Sequence, residues 1–433
     1  MKDIEKYCFL EPLRYKYKEA NKKEKGEILD SVQECLELSR RQARRLMERR
    51  NAGRPKNPRK AGRRGKYQDL AFRQSLKEVW RKMYFVCSRI MKAGMPEWLH
   101  FIEEDRARPF REDINQRLQT ISPATIDRIL KPWKAQKGKS LTCSGGFRDE
   151  IPIQQGEVWN IKTPGFLEAD TAAHCGGSVH GQYINSLMMV DIATLWTEAR
   201  AVFGKGSTPI VLAIEDVENL LPFDIKGYDC DNGTEVLNHH VLNYFQSERI
   251  ERKRSHVAVT RSREYQKNDN AHVEQRNDSV ARKWLGYERL DFQQLQPLVN
   301  HYYKYVLCPL LNHFFPSFKL VDKIRIKSRS RRIYKDPMTP YARIMNSAYI
   351  PDKRKEILQQ LHLSLNPVTL SKEEKKLRAQ IDAALKALKR GQLATGLLMV
   401  PSPPAFFTDY ENNNVKEIGI FSPTMLPLYK TGT

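Results

Sequence analysis

Apolar residues recur at helical spacing in the first third of the chain. Ile28, Leu29, Val32 and Leu36 form one stripe over Lys25–Leu36. A short turn, Glu37-Leu38, and a cap at Ser39 lead into a second helix from Arg40 to about Arg50. There Ala43, Leu46 and Met47 share the inner face, and Arg40, Arg41, Arg44 and Arg45 take the outer one. Gln68–Met91 carries a longer pattern (Leu70, Phe72, Leu76, Val79, Trp80, Met83) that Gly94-Met95-Pro96 is expected to break. Ile114 and Leu118 mark a further helix. Ser122, followed by Pro123 at the first helical position, opens one that carries Thr125, Ile126, Arg128, Ile129 and Leu130 and stops before Pro132. Gly138–Ile153 reads as a linker.

From Pro164 the period shortens. Strands are expected at Phe166–Ala172, Gln182–Asp191, Trp196–Val202 and Ile225–Asp231, with a strand-like Ile250–Arg254. Helical periodicity returns at Pro209–Leu220, Glu235–Phe245 and Asn268–Trp284. Further on, Phe292–Leu320 is aromatic and helical in pattern, and Lys323–Lys335 alternates cations with Ile324, Ile326 and Ile333 as a basic strand does. Ser371-Lys372-Glu373-Glu374 looks like a capping box. Leu377, Ile381, Leu385 and Leu388 then line one helix face up to Gly391, a stripe suited to packing within the chain or to a multimer contact. The segment after Val400, with Pro401, Pro403 and Pro404, is expected to be extended or disordered.

These textures divide the 433 residues into five parts. They are a two-helix unit with a basic arm (1–66), a second helical unit with its linker (67–150), a central α/β core with a mixed sheet (151–320), a basic β-rich segment with an amphipathic helix (321–400), and a tail (401–433). A 40% hydrophobic content excludes wholesale disorder. No run approaches a membrane span, and the first residues lack the apolar core of a signal peptide. Seven scattered cysteines, an odd number without a C-x-x-C pair, argue against a disulfide framework and a cysteine zinc site, and fit a reducing cytoplasm.

Charge sharpens the picture. The net charge is +23, and Arg40–Lys66 alone holds thirteen Lys or Arg against Glu48. That window follows a helix-turn-helix pattern with an arginine-rich second helix and continues into a Gly/Pro-rich arm bearing Arg54, Lys56, Arg63 and Arg64. Lys319–Lys335, including Lys327 and Arg329, is a second basic stretch. The expected partner is double-stranded DNA. The second helical unit, with Thr125 and Arg128 after its turn, is a second helix-turn-helix candidate.

The order β-β-β-α-β-α-β-α in the core is that of an RNase H-like fold, an analogy that does not by itself give function. Asp170 ends the first strand, Asp231 ends the fourth in Asp231-Asn232-Gly233, and Glu274 lies on the last helix. Three converging carboxylates repel one another unless divalent cations lie between them. Two Mg²⁺ (or Mn²⁺) ions per site suit phosphodiester chemistry. Each acid also has an ordinary reading as a turn former or an exposed helix residue. Glu168, Asp229 and Glu264 compete locally. Gly138-Lys139-Ser140 and Gly204-Lys205-Gly206 are not nucleotide-binding loops.

Along Pro164–Lys323 the chain resembles bacterial insertion-sequence transposases with an integrase-type (DDE) catalytic core. The carrying motifs are Pro164–Thr171 with Ala173-His174-Cys175-Gly176, Asp231-Asn232-Gly233-Thr234-Glu235, and Thr260–Arg263 with Lys267–Gln275. Ile121–Arg128 and Thr339-Pro340-Tyr341 resemble the family's flanks. The resemblance implies that Asp170, Asp231 and Glu274 hold the metal and are catalytic. It also implies that Arg261, Arg263 and Lys267 meet phosphates, that Asn270, His272 and Gln275 contact DNA or orient the metal ligands, and that the protein joins transposon ends to target DNA as a dimer or larger complex. Glu274 follows Asp231 by 43 positions, longer than retroviral-type spacing, whereas Glu264 follows by 33. Motif and helical context favour Glu274. His174 and Cys175 read as local structure. The competing functions are a structure-specific nuclease on the same fold and a DNA-binding regulator with an inactive core.

Overall fold

The structure, a computed structural model, describes residues 3–48, 67, 69–133, 161–204, 206–230, 239–248, 257–261, 277–326, 329–391 and 398–417. The chain forms two compact units, Met1–Gln68 and Asp69–Thr433.

The first unit holds three helices, α1 (Asp3–Glu19), α2 (Lys22–Leu36) and α3 (Arg40–Glu48). Asn21 starts α2 with a reciprocal cap. Its Oδ1 accepts from the amides of Lys23 and Glu24, and Glu24 Oε2 accepts from the Asn21 amide at 2.9 Å. Glu37 stops α2 in the left-handed region at φ 50°. After Leu38, the Ser39 amide donates to Gln42 Oε1 at 3.0 Å and α3 begins. Leu10, Tyr17, Leu29, Val32, Ala43 and Met47 are the core of this unit. Helix α1 was not expected, because Pro12 and the surrounding cations hide its apolar stripe. Its Leu10 and Tyr17 are buried beside α2 and α3, and Arg14 Nε donates to the Leu46 carbonyl at 2.9 Å.

The second unit opens with α4 (Leu70–Lys82), α5 (Ser88–Glu104), α6 (Glu112–Thr120) and α7 (Pro123–Leu130). The break expected at Gly94-Met95-Pro96 falls instead at Tyr84-Phe85, both left-handed (φ 55° and 57°). Tertiary contacts hold them there. Trp80 Nε1 donates to the Val86 carbonyl at 3.0 Å, and the Tyr84 hydroxyl donates to Glu374 Oε2 at 2.9 Å. Helix α5 runs through Pro96. Gly94 serves close approach, since a Cβ there would lie 3.2 Å from Pro316 Cδ.

The central sheet has strands β1 (Phe166–Ala173), β2 (Ile184–Asp191), β3 (Thr197–Phe203), β4 (Gly227–Cys230) and β5 (Ala258–Arg261), in the order β3-β2-β1-β4-β5. The β1–β2 and β2–β3 pairs are antiparallel; the β1–β4 and β4–β5 pairs are parallel. Helix α8 (Ser207–Leu220) links β3 to β4, and α9 (His239–Asn243) lies between β4 and β5. The strand expected at Ile250–Arg254 lies outside the described residues; the fifth strand is Ala258–Arg261, where register with β4 selects it.

Strand β2 is buried along its whole length. The edge strand β3 is closed by a helical run, α10 (Gln296–Tyr302), a π-helical turn (Tyr303–Leu307) and α11 (Cys308–Phe314). Two amides on this run replace a neighbouring strand. Asn300 Oδ1 accepts from the Ala201 amide at 2.7 Å, and Asn312 accepts from and donates to the Thr197 backbone at 2.9 Å.

The basic stretch forms an antiparallel hairpin, β6 (Leu320–Ile326) with β7 (Arg329–Tyr334). Helices α12 (Pro340–Met345), α13 (Asp352–Ser364), α14 (Pro367–Lys389) and α15 (Ala405–Glu417) follow. Helix α14 starts earlier than the capping box expected at Ser371. Asn366 Oδ1 caps it through the amides of Val368 and Thr369, and Ser371 Oγ donates to the Pro367 carbonyl inside the helix. Leu377, Ile381 and Leu385 are buried within the unit, which accounts for their stripe. The segment expected to be extended after Val400 holds α15, with Phe407, Tyr410 and Asn414 buried. Among the described residues no helix is long and apolar enough to cross a membrane.

Candidate active site

The parallel β1–β4 and β4–β5 ladders stop at the same level, although β1 itself runs on to Ala173 through its pairing with β2, so Asp170 lies inside the strand rather than at its end as expected. Ala169 pairs with Cys230, and Cys230 with Arg261. Asp170 and Asp231 each follow one residue beyond the paired Ala169 and Cys230. The carboxyl ends of parallel strands are where α/β sheets place their ligands.

Asp170 is half-buried, and its Oδ1 accepts from the Thr171 amide at 2.7 Å. Glu168, two residues earlier on the same face, is 1% exposed. Asp229 pairs in register with Glu168, and its Oδ1 accepts from Thr260 Oγ1 at 2.6 Å. Of the two β1 acids, Asp170 is the less buried, and Asp229 has a hydrogen-bond partner on β5.

Asp231 and Glu274 lie outside the described residues, as do Arg263, Lys267, Asn270, His272, Gln275, Lys327 and the arm residues Arg54, Lys56, Arg63 and Arg64. Among the described residues no three His, Cys, Asp or Glu side chains converge to hold a metal. The donor set carried by the resemblance consists of carboxylates alone, and hard oxygen donors fit Mg²⁺ or Mn²⁺.

His174 is structural. It is 3% exposed, and its Nε2 meets Ser186 Oγ at 2.8 Å, which in turn meets the Tyr303 hydroxyl at 2.7 Å. Burial, with Arg282 and Arg378 nearby, brings its imidazole down to about 4 and keeps it neutral near pH 7. Ser186 and Tyr303 had no local sequence signal, because Ser186 comes to His174 through the β1–β2 pairing and Tyr303 through the helical run packed on the sheet.

A second charged cluster lies beside β3. Arg200 Nη1 meets Glu198 Oε2 at 3.2 Å, and Lys304 Nζ meets Asp216 Oδ1 at 2.7 Å and Glu411 Oε1 at 2.9 Å. Burial pushes the Asp216 carboxyl up, but Arg200 and Lys304 outweigh it and bring it to about 2. This network ties α15 to the sheet through Lys304 and Glu411, and leaves Arg200 Nη2 buried without a hydrogen-bond partner among the described residues.

The cationic positions of the helical segments divide. On α3, Arg40, Arg41, Arg44 and Arg45 are all exposed. Arg40 pairs with Asp30, and Arg44 lies 3.9 Å from Glu48. Arg41 and Arg45 make no ion pair among the described residues. Arg128 is exposed on α7 and donates to Thr125 Oγ1 at 3.2 Å. Arg261 ends β5, and Arg329 opens β7 in register with Ile326.

No protein-family model matches the chain. Over 275 residues the chain is 33% identical to the uncharacterized protein y4rM of Sinorhizobium fredii, an alignment covering 63% of this chain and 76% of that protein. The chain belongs to the same family as that protein.

Proposed function

We propose that the protein is a DDE-type transposase that binds the terminal inverted repeats of a mobile element and joins its ends to target DNA. The observation that carries this reading is the strand register, in which Asp170 and Asp231 each follow a paired residue on adjacent parallel strands. The strand order β3-β2-β1-β4-β5 of the mixed sheet supports reading the core as RNase H-like. Helices α2 and α3 with their three-residue turn read as a helix-turn-helix, and Arg41 and Arg45 are the residues of α3 most available to DNA. Helices α6 and α7 serve as a second such element.

Asp170, Asp231 and Glu274 would hold two Mg²⁺ or Mn²⁺ ions, which when bound supply Lewis-acid charge to a phosphodiester. In the first step water attacks the phosphodiester at the element's end, the bond to the 3′-oxygen breaks, and a 3′-hydroxyl is freed. That hydroxyl then attacks a target phosphodiester, one bond forming as another breaks, so no ATP is required. Two ends must meet, so at least a dimer acts.

The test combines the full protein, Mg²⁺ or Mn²⁺, a labelled duplex carrying an element end and a supercoiled plasmid. Joined product is expected from the wild type and its loss, by at least about a hundredfold, from Asp170→Asn, Asp231→Asn and Glu274→Gln. Cleavage without joining indicates a nuclease. Specific binding without cleavage indicates a regulator. Product that survives Glu274→Gln but not Glu264→Gln reassigns the third ligand.

A further inference from the structure

Strand β1 continues past Asp170 into the loop Cys175–Gln182 before β2 begins. One side chain organises this loop from inside. Arg289 Nη1 donates to the carbonyls of Cys175 at 3.1 Å and Ser178 at 2.6 Å, and its Nη2 donates to the carbonyl of His180 at 2.5 Å. Asp291 Oδ2 accepts from Arg289 Nε at 3.0 Å and fixes the guanidinium, which lies 5.3 Å over the Tyr183 ring. The base of the loop is laced as well. The His174 amide donates to Ile184, the Leu290 amide to His174, and the Ile184 amide to Leu290. Gly176 is at φ +59°, and a Cβ there would lie 2.9 Å from Arg289 Cβ, so the close fit demands glycine.

The consequence is a loop in which the carbonyls of Cys175, Ser178 and His180 are taken up by Arg289. The amides of Gly177 and Val179 meet no acceptor among the described residues, and residues 176–182 are exposed, Val179 at 71%. A loop that offers N–H groups while several of its carbonyl oxygens are taken up favours an anion. Arg282 and Arg378 bring positive charge to His174 at the base of the loop, while Arg289 and Arg378 are themselves paired with Asp291 and Asp382. We propose that Cys175–Gln182 is a DNA-contacting loop that receives a backbone phosphate, and that Arg289 is the positioning residue that shapes it. The choice of DNA as the anion rests on the transposase reading.

The test is duplex binding by the full protein in Ca²⁺, followed by fluorescence anisotropy, with the joining assay run beside it. Val179→Glu places a carboxylate on the exposed loop. Its affinity is expected to fall at least about tenfold, as for loss of a charge-assisted hydrogen bond, and the salt dependence to lessen by about one ion. Leu363→Glu, at an equally exposed position on α13, is expected to bind as the wild type does. Arg289→Ala is expected to weaken binding likewise, and Arg289→Lys, which cannot reach three carbonyls in a fixed fork, to restore little. Wild-type affinity in Val179→Glu overturns the proposal even if the wild type joins DNA and Asp170→Asn does not. Weakened binding in Val179→Glu with no joining by the wild type keeps the loop as a DNA contact and removes the transposase reading.

Discussion

His174 shows how a residue with catalytic chemistry can be committed to architecture. Its neutral ring completes the chain to Ser186 and Tyr303, and protonation is opposed by burial and by Arg282 and Arg378. Because its folded value near 4 lies below the ordinary 6.5, acid favours the unfolded chain. Stability from this group is complete above pH 6.5 and is lost as pH falls towards 4, by about 3 kcal/mol in all. Buried His313 is shifted in the same direction, so the check is a difference: urea unfolding of wild type and His174→Asn at pH 7 and pH 4.5, with the gap between them narrowing at the lower pH. At this scale the sequence marks Asp170 plainly, because its motif is local. Arg289 leaves no such mark, since the carbonyls it binds lie more than a hundred positions away and share no pattern with it.

At the scale of elements, alternation and periodicity revealed β1 to β4 and α8 to within a few residues, because a buried sheet needs near-continuous apolar strands. The misread boundaries are those that tertiary contacts decide. Tyr84 and Phe85 adopt left-handed backbone because Trp80 and Glu374 reward it, and α14 begins at Asn366-Pro367, a stronger start than Ser371. Helix α15 was hidden by the prolines before it and by a short apolar stripe of Phe407 and Tyr410. Its ties are specific: the Tyr410 hydroxyl donates to the Leu220 carbonyl at 3.0 Å, and Asn414 Nδ2 donates to Asn219 at 2.8 Å. Phe407→Ala is expected to destabilise the larger unit by about 3 kcal/mol and Tyr410→Phe by about 1 kcal/mol, measured by chemical denaturation of the full protein.

The whole molecule divides once, where composition suggested five parts. Helices α4–α7 belong with the sheet, since Trp98 Nε1 donates to the Phe314 carbonyl at 2.9 Å and Lys372 pairs with Asp105. Sequence could not show this, because such contacts join residues more than two hundred positions apart. A fragment of residues 1–68 has its own core and is expected to fold alone, with a cooperative thermal transition by circular dichroism. In that fragment Arg41→Ala and Arg45→Ala are expected to weaken DNA binding more than Arg40→Ala, whose side chain is already paired with Asp30. The larger unit carries a different consequence, which concerns its synthesis. Asn414 completes the carbonyls of residues 219 and 221, so a ribosome must make nearly two hundred more residues before the end of α8 receives its cover. Until then Leu220 and its apolar neighbours are exposed on the nascent chain. Products released early keep that surface uncovered and become substrates for chaperones and proteases, which makes α15 a late check on whether translation has run through the fold.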